Sequence, residues 1–574
     1  MTNQEIQNQI SESIQLVNEL LEKCDVKNII YIDDRFDIDN QKDLFLGLVN
    51  GIKKRRGRKR KLEFVDWNLS GPAFTSHVSR KWEDASTLKR TEYLNKVYEI
   101  LKDEDYVSIS LLDIHFHDKF LKLTPVEWGD KKDQLFRDLN GDEKFLCLFD
   151  YELKGVQNGG DLVRDLLNDN NALKVYCGIY SHTFSPEDEQ IKKEEWVERL
   201  GVNAFYPISK KRLQDEPSIS GFCNGLKNVL LVKHVEDLKE KSILLLKESS
   251  SKTIERIKRI HPDTFNDIVQ KNSYLEGVWE IETLFRLCNI IMDQETKKAI
   301  VSEEVRAYFN KSINHIRKID LTKTINPDKF NSEQINIFEE EEKYYSGDII
   351  NKLHYPIRNG DIFKINMKYY ILLCQPCNLS IRTNGKRQNG IDQVFMIELG
   401  DKENLDGTAR LDSTKEYEIK SYDLNSKIIK YAKLSRYITA QLSLLDLVVF
   451  NNEGKSEINL NEISLSETIH EPWTKRYKEI KKEYIAYYEV MKSYKTIVGI
   501  KNDIDQKNLE KYVKSPKFLN DFKIDGLLSY KPDANKFEFP IQRIRHYKNA
   551  YSIDLLQKFM AYLSRTGFDK DFVC

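Results

Sequence analysis

The sequence lacks long apolar runs and carries almost no net charge. None of its apolar stretches approaches the roughly 18 to 20 residues that a membrane-spanning helix needs. The formal net charge is −1, from 90 Lys and Arg against 91 Asp and Glu. A chain of this balance has no global attraction to nucleic acid or to an anionic membrane. We therefore expect neither a membrane protein nor a protein that binds polyanions through its overall charge.

Cysteine is scarce, and the motifs of several enzyme classes are missing. The eight cysteines are scattered, which fits reduced, buried thiols in a reducing cytosol. Residues 1–21 have the pattern of an amphipathic helix with polar and acidic residues, which differs from a signal peptide. The chain has no kinase, nuclease, winged-helix or nucleotide-loop motif and no internal repeat. The second half of the chain therefore predicts no enzymatic reaction.

The length of 574 residues is too great for one hydrophobic core, so several domains are expected. Changes in composition and periodicity predict a multidomain chain with α/β, α and β parts. The predicted parts are an N-terminal helix (1–24), an α/β domain (25–215) with an insertion at about 53–143, a helical linker or dimerisation region (216–320), a β-rich domain (321–470) and an α+β region (471–574).

The clearest local signal is a buried strand that ends in a carboxylate. Five apolar residues at 145–149 form the continuous run expected of a strand covered on both faces of a parallel sheet. Asp150 ends this run, and a loop with glycines and a helix at Asp161 to Leu167 follow. A carboxylate at the carboxyl end of such a strand lies where open α/β sheets bind ligands. The plainer alternative is that Asp150 caps a turn.

Three further short strands end in polar or charged residues. These are Asn28 to Asp34, which ends in two aspartates, Lys174 to His182, which ends at Ser181, and Gly201 to Lys211, which ends near Ser209 and Lys210. Helical patterns lie between the strands, at Gln41 to Ile52, Asp161 to Leu167 and Glu187 to Leu200. In a doubly wound sheet the carboxyl ends of the strands converge on one edge.

This arrangement resembles the receiver domain of two-component response regulators, over residues 25–215. The resemblance implies a doubly wound, flavodoxin-like fold with a phosphorylation site. Asp33 and Asp34 match the acidic pair that holds Mg²⁺, together with Asp150 and the backbone carbonyl of Glu152. Asp150 matches the phosphoacceptor, Ser181 the switch hydroxyl and Lys210 the lysine that contacts the phosphoryl group.

Three features depart from the receiver pattern. Lys154 stands where a proline usually follows the phosphoacceptor. The usual Lys-Pro after the last strand reads Lys210-Lys211, which leaves the choice between the two lysines open. The segment from Asp34 to Asp150 is also much longer than two crossover connections need, which is the reason for predicting an insertion.

The resemblance implies a cytoplasmic signalling protein that a partner histidine kinase phosphorylates on Asp150 with Mg²⁺. The phosphorylated state would be relayed to an output region that binds a macromolecule. Large receiver proteins with unfamiliar C-terminal halves look like components of bacterial antiphage defence modules. A first alternative is an unphosphorylated pseudo-receiver that serves as scaffold or sensor for a neighbouring ATPase or effector. A second is a nucleic-acid-binding regulator.

Two basic segments support the nucleic-acid alternative. Residues 53–61 contain eight basic residues in nine, which suits a nucleic-acid or acidic-partner patch or, equally simply, a solvated loop. No aromatic residues interleave this run, so base stacking is not supported. The patch comprises Lys53, Lys54, Arg55, Arg56, Arg58, Lys59, Arg60 and Lys61. The second segment, with Arg543, Arg545, His546 and Lys548, is predicted to contact phosphates or to form a solvated loop.

Three other groups of residues have a chemical and a structural interpretation. The stretch Val107 to Asp118 is predicted to be a strand, on which His115 and His117 would form a metal pair or a polar face. Cys374 and Cys377 form a single CxxC, for which buried structural thiols are favoured over zinc or redox chemistry. A polar cluster suited to a small ligand or nucleic acid comprises Gln375, Asn378, Arg382 and Arg387.

The second half of the chain is predicted to be mostly β. Ile325 to Tyr345 is polar and acidic and is interpreted as a linker or exposed loop. Gly360 to about Leu465 has the pattern of a small antiparallel domain, with the barrel as one form. Glu471 to Lys495 is predicted to be a charged helix.

Overall fold

In the computed structural model, the described residues are 3–54, 62–101, 103–153, 157–213, 218–320, 332–388, 390–404, 410–423, 428–462, 465–497, 529–531 and 535–564. The chain divides into two compact units, one of residues 1–254 with 292–328 and the other of residues 255–291 with 329–574. The predicted multidomain chain of mixed α and β structure is confirmed. No helix within these ranges has the length and apolar character required to cross a bilayer.

The first unit is built on a parallel sheet, as predicted. Within the described ranges its five strands follow the spatial order β2-β1-β3-β4-β5. Asp150 pairs with Tyr180, and Ser181 pairs with Ser209, so the carboxyl ends of three neighbouring strands lie together. The strands are β1 (Val26–Ile32), β2 (Phe120–Leu123), β3 (Lys144–Asp150), β4 (Val175–Ser181) and β5 (Phe205–Ser209).

Helices cover both faces of this sheet because its strands are apolar on both sides. Tyr31 and Leu148 pack with α1, α5 and α9 on one face, whereas Ile30 and Cys147 pack with α6, α7 and α8 on the other. The helices up to residue 258 are α1 (Asn3–Lys23), α2 (Lys42–Lys54), α3 (Gly71–Glu83), α4 (Thr87–Leu101), α5 (Glu104–Phe116), α6 (Pro125–Arg137), α7 (Gly159–Leu167), α8 (Glu189–Leu200) and α9 (Ser218–Lys258).

The segment added to the sheet is shorter than predicted. Strand β2 and helix α6 both fall inside the range 53–143 that was interpreted as an insertion, yet β2 is a member of the sheet. The added segment is α2 to α4, which has its own apolar core around Phe45, Trp82 and Val97. The four residues of β2 are too few for the sequence pattern to distinguish a strand from the helices on either side of it.

The strand predicted for Val107 to Asp118 is wrong, because this stretch forms most of α5. Polar and apolar residues alternate there, but Leu112 and Phe116 are spaced by four and are both buried against the sheet. Burial of one helix face outweighs the local alternation. His115 and His117 therefore do not share a strand face.

Residues 218–320 are mostly helical. Helix α9 runs for 41 residues, and a π-helical stretch at Asn266–Lys271 joins the two short helices that follow it. Two of the divisions between the units fall inside helices, after Ile254 in α9 and after Ile291 in α12. The remaining helices of this region are α10 (Pro262–Phe265), α11 (Asn272–Glu276), α12 (Glu280–Ile300) and α13 (Glu303–Asp320).

The second unit contains an antiparallel sheet, and the described strands number nine. Its main path has the order β10-β11-β9-β8-β7-β14-β12, and β6 and β13 also pair with β14. The strands are β6 (Tyr344–Ser346), β7 (Asp361–Ile365), β8 (Lys368–Leu373), β9 (Gln393–Glu403), β10 (Glu416–Glu418), β11 (Ile428–Gln441), β12 (Lys455–Asn459), β13 (Ser529–Lys531) and β14 (Lys536–Tyr547).

The C-terminal region, predicted to be separate, supplies β14 to this same sheet. Trp473 and Tyr484 of α18 pack into one apolar core, and Leu555 and Phe559 of α19 pack into another. The linker predicted at Ile325 to Tyr345 is helical from residue 332 to 343. The helices here are α14 (Ser332–Lys343), α15 (Gly347–Lys352), α16 (Pro376–Leu379), α17 (Leu442–Asp446), α18 (Glu471–Ile497) and α19 (Asn549–Leu563).

Candidate functional site

The carboxyl edge of the parallel sheet brings together three aspartates and a lysine. Asp33 and Asp34 follow β1, Asp150 is the last residue of β3, and Lys210 follows β5. The three aspartates each place a carboxylate oxygen within 4.8 Å of the others. Among the described residues this is the one group of three or more acidic, histidine or cysteine side chains so close together.

Lys210 is paired directly with Asp150. Its Nζ lies 2.6 Å from Oδ1 of Asp150, and the two side chains are 2% and 8% exposed. The same ammonium group lies 5.5 Å from the ring centre of Tyr180 on the intervening strand. The contact favours Lys210 over Lys211 as the lysine of the site.

Asp33 is the most deeply buried of the acids, with no exposed surface. Its Oδ1 accepts a hydrogen bond of 2.9 Å from the backbone N–H of Arg35, while its buried Oδ2 has no hydrogen-bond partner among the described residues. Burial, and then the negative charge of Asp150, raise the pKa of Asp33 to about 8. A buried carboxylate oxygen without a donor is a group that a cation would stabilise.

Two other predicted residues lie at or beside the same edge. Ser181 is the last residue of β4 and lies one position beyond Tyr180, the register partner of Asp150. Its hydroxyl is buried and contacts the Thr183 hydroxyl at 3.0 Å. Glu152 follows β3 in an exposed position, with its carboxylate 3.9 Å from Nε2 of His182. Lys154 lies outside the described residues.

Close packing fixes the backbone behind the phosphoacceptor candidate. Helix α7 begins at Gly159, and a Cβ atom at this position would collide with the carbonyl oxygen of Asp150. Asn158 caps the helix, with Asp161 completing a reciprocal capping box. Only glycine allows this approach, so the end of β3 and the start of α7 are held together.

The second basic segment is not an exposed phosphate-binding loop. Arg543 and His546 lie in β14 and are 1% and 3% exposed. Arg543 donates to Asn351 Oδ1 at 2.8 Å and to the carbonyl of Tyr355 at 2.8 Å. His546 Nδ1 lies 2.8 Å from Asp361. Arg543 and His546 bind the interior of the second unit, so the prediction of phosphate contacts is wrong for these two residues. For Arg545 and Lys548, which are partly exposed, it stays a prediction.

The other groups predicted from the sequence are the basic run, the CxxC pair and the polar cluster. Most of the basic run, residues 55–61, lies outside the described residues. Cys374 is partly buried, but Cys377 is exposed, so the expectation of two buried thiols is wrong for Cys377. In the polar cluster, Arg387 is buried and binds Asp446, with contacts of 2.6 and 2.9 Å. Arg382 donates to Glu276 at 2.7 Å.

The sequence pattern does not predict one residue of the site, Gln41. Gln41 is 3% exposed, and its Nε2 donates a 2.8 Å hydrogen bond to the backbone carbonyl of Asp34. A lone glutamine before a helix has no motif that would reveal this contact. Two short 3-10 turns between Asp34 and Gln41 bring the two residues together.

Comparisons with protein-family models, curated proteins and solved structures found no match to this chain.

Proposed function

We propose that the first unit is a receiver-like signalling domain that is phosphorylated on Asp150. The observation that carries this proposal is the convergence of Asp33, Asp34 and Asp150 at one sheet edge, with Lys210 bound to Asp150. The strand order 2-1-3-4-5 is that of the flavodoxin-like doubly wound fold, whose ligands bind at the carboxyl ends of the strands. Both features support a phosphoryl-accepting site.

The donor set fits Mg²⁺. This ion is hard and takes oxygen ligands, and Asp33 Oδ2 is a buried carboxylate oxygen without a partner among the described residues. Asp33, Asp34 and Asp150 would hold the ion, with the Glu152 carbonyl as a further expected ligand. When bound, Mg²⁺ supplies positive charge that offsets the charge on the phosphoryl oxygens.

The side chains of this edge have distinct roles in the proposed transfer. An oxygen of Asp150 attacks the phosphorus of a phosphohistidine on a partner kinase, so that a P–O bond forms as the P–N bond breaks. Lys210 moves its ammonium group from the free carboxylate to the transferred phosphoryl oxygens. The Ser181 hydroxyl donates a hydrogen bond to one of these oxygens, which biases the domain towards a second state.

A short connection supports relay of this state to the rest of the chain. Lys210 is two residues before Arg212, whose guanidinium group donates to both oxygens of Glu189 at 2.6 and 2.8 Å. Arg212 also donates to the carbonyl of Gly221 in α9 at 3.0 Å. A shift of Lys210 would therefore act on the start of α9, the longest helix among the described residues.

We place the protein in the bacterial cytoplasm, and antiphage signalling remains the context that the receiver resemblance suggests.

The second candidate is a pseudo-receiver that binds a partner without being phosphorylated. The burial of Asp150 and its ion pair with Lys210 favour this alternative, because the nucleophile is not freely accessible. In that case the same edge of the sheet would serve as a docking surface for a neighbouring ATPase or effector.

Phosphate-affinity electrophoresis after incubation with acetyl phosphate and Mg²⁺ tests the proposal. We expect a retarded band for the wild type that is lost with a chelator and in Asp150→Asn. Asp165→Asn, which changes an exposed aspartate of α7, is the matched control and should keep the band. Absence of the band in the wild type, together with no Mg²⁺-dependent beryllofluoride binding, would support the pseudo-receiver instead.

A further inference from the structure

We infer that Gln41 positions the metal site of this domain by accepting a hydrogen bond from a water molecule of hydrated Mg²⁺. This inference rests on the proposed function, because it concerns the same acidic edge. Gln41 lies immediately before α2, at the end of the connection that begins with Asp33 and Asp34.

The side chain of Gln41 is held in one orientation. Its Nε2 donates to the carbonyl of Asp34 at 2.8 Å, and a carbonyl can only accept, so the amide nitrogen must face Asp34. The backbone carbonyl of Gln41 accepts from Phe45 at 2.9 Å, and its N–H donates to Ile38 at 3.3 Å. The amide oxygen therefore lies beside the acidic loop and cannot exchange places with the nitrogen.

That oxygen is a buried acceptor without a donor. Gln41 Oε1 has no hydrogen-bond partner among the described residues, and the same holds for Asp33 Oδ2. Buried polar atoms are normally paired, and an unpaired atom is costly. The two atoms need different partners, since the carboxylate needs a positive charge and the amide needs an N–H or O–H donor.

Hydrated Mg²⁺ supplies both partners at once. The ion binds carboxylates directly and keeps several of its waters, whose O–H groups are strong donors. A single structural water would satisfy the amide oxygen but would leave the carboxylate without a counter-charge. The pairing of these two orphan acceptors on one loop therefore points to the hydrated cation.

Packing of the added helices fixes the position of the chain on either side of Gln41. Phe45, one turn into α2, is fully buried in the core of α2 to α4. Arg35 Nη1 binds Asp103 at 2.6 Å, which ties the acidic loop to the start of α5. Groups that orient metal ligands in this way affect metal affinity by about 10- to 100-fold when they are changed.

Calorimetric titration of the full chain with Mg²⁺ tests the inference. We expect Gln41→Met, which has similar length but no acceptor oxygen, to bind Mg²⁺ about 10- to 100-fold more weakly than the wild type. Gln41→Leu also removes the acceptor oxygen without adding a charge and should lose the same affinity. Gln441→Met is the matched control, because Gln441 is also buried but belongs to the second unit.

The outcomes separate the inference from the proposed function. Equal Mg²⁺ affinity in wild type and Gln41→Met would overturn the inference and leave the phosphoacceptor proposal standing. A loss in Gln41→Met that Gln41→Leu does not share would also overturn it, since both variants lack the acceptor oxygen. If the wild type binds no Mg²⁺, the proposed magnesium-dependent function fails, and the inference falls with it. Should Gln41→Met not fold, the comparison of Gln41→Leu with wild type decides, because the same loss of affinity is expected.

Discussion

At the scale of single residues, the site concentrates charge where water is excluded. Asp33, Asp150 and Lys210 are all buried. Charges in such surroundings are stable only when they are paired, and the loss of one partner leaves the other uncompensated. Lys210 is the ammonium group that pairs with this acidic cluster, so we expect the stability of the edge without a metal ion to depend on it.

We expect Lys210→Met to lower the free energy of unfolding by about 3 to 5 kcal/mol, because it strips the aspartates of their cation. When Asp150→Asn is added to Lys210→Met, the double variant should recover at least about 1 kcal/mol of unfolding free energy, since the repulsion among the buried aspartates is reduced. Urea denaturation of the two single variants and the double variant measures this coupling. Lys192→Met, which breaks an exposed pair with Glu195, should change little. Additive effects of the two substitutions would contradict the argument.

At the scale of elements, the long helix α9 is anchored to the sheet by buried polar contacts as well as by apolar packing. Nε2 of His234 forms a 3.1 Å hydrogen bond with the hydroxyl group of Tyr176 in β4. The ring of His234 also stacks on the ring of His315 in α13, with 4.7 Å between the ring centres. Burial, followed by the charges of His315, Lys233 and Lys144, lowers the pKa of His234 to about 3. The histidine is therefore neutral in the folded protein.

Because the folded pKa of His234 lies below the unfolded value of about 6.5, the unfolded state binds more protons between these values. The contribution of His234 to stability is present above pH 6.5 and is lost as the pH falls towards 3. We expect the wild type to lose about 1.4 kcal/mol per pH unit below pH 6 relative to His234→Phe. Urea denaturation at pH 7, 6 and 5 measures the difference. His261→Phe, at an exposed site, is the control and should follow the wild type.

At the scale of the whole molecule, two units with separate cores are built from interrupted stretches of chain. The first unit consists of residues 1–254 and 292–328, and the second consists of residues 255–291 and 329–574. Inside the second unit, Asp361 is fully buried between Arg543 and His546. Burial would raise the pKa of Asp361, but the hydrogen bond from His546 and the charge of Arg543 hold it below its ordinary value.

Separate cores predict two unfolding transitions in scanning calorimetry of the full chain. Arg543→Met leaves Asp361 without its arginine, so it should lower one transition, by about 3 to 5 kcal/mol of unfolding free energy. Lys210→Met should lower the other. Arg436→Met, at a side chain that is 67% exposed, should leave both unchanged. A single transition that both buried substitutions lower together would contradict two independent units.

The sequence by itself determined four of the five described strands of the first unit and most of its acidic edge. Strands buried on both faces must be apolar throughout, so the runs at β1, β3, β4 and β5 are visible, and their polar ends mark the edge where ligands bind. This is why Asp33, Asp34, Asp150 and Lys210 could be predicted to meet. The reason is local, because each strand carries its own signal.

Tertiary structure decided what depends on distant partners. Strand β2 is too short to be recognised alone, and α5 has a strand-like alternation that burial of Leu112 and Phe116 overrides. Arg543 looked like an exposed basic residue, but its strand lies inside a sheet whose other members are far away in the chain. Such contacts are set by packing between segments, which no local pattern encodes.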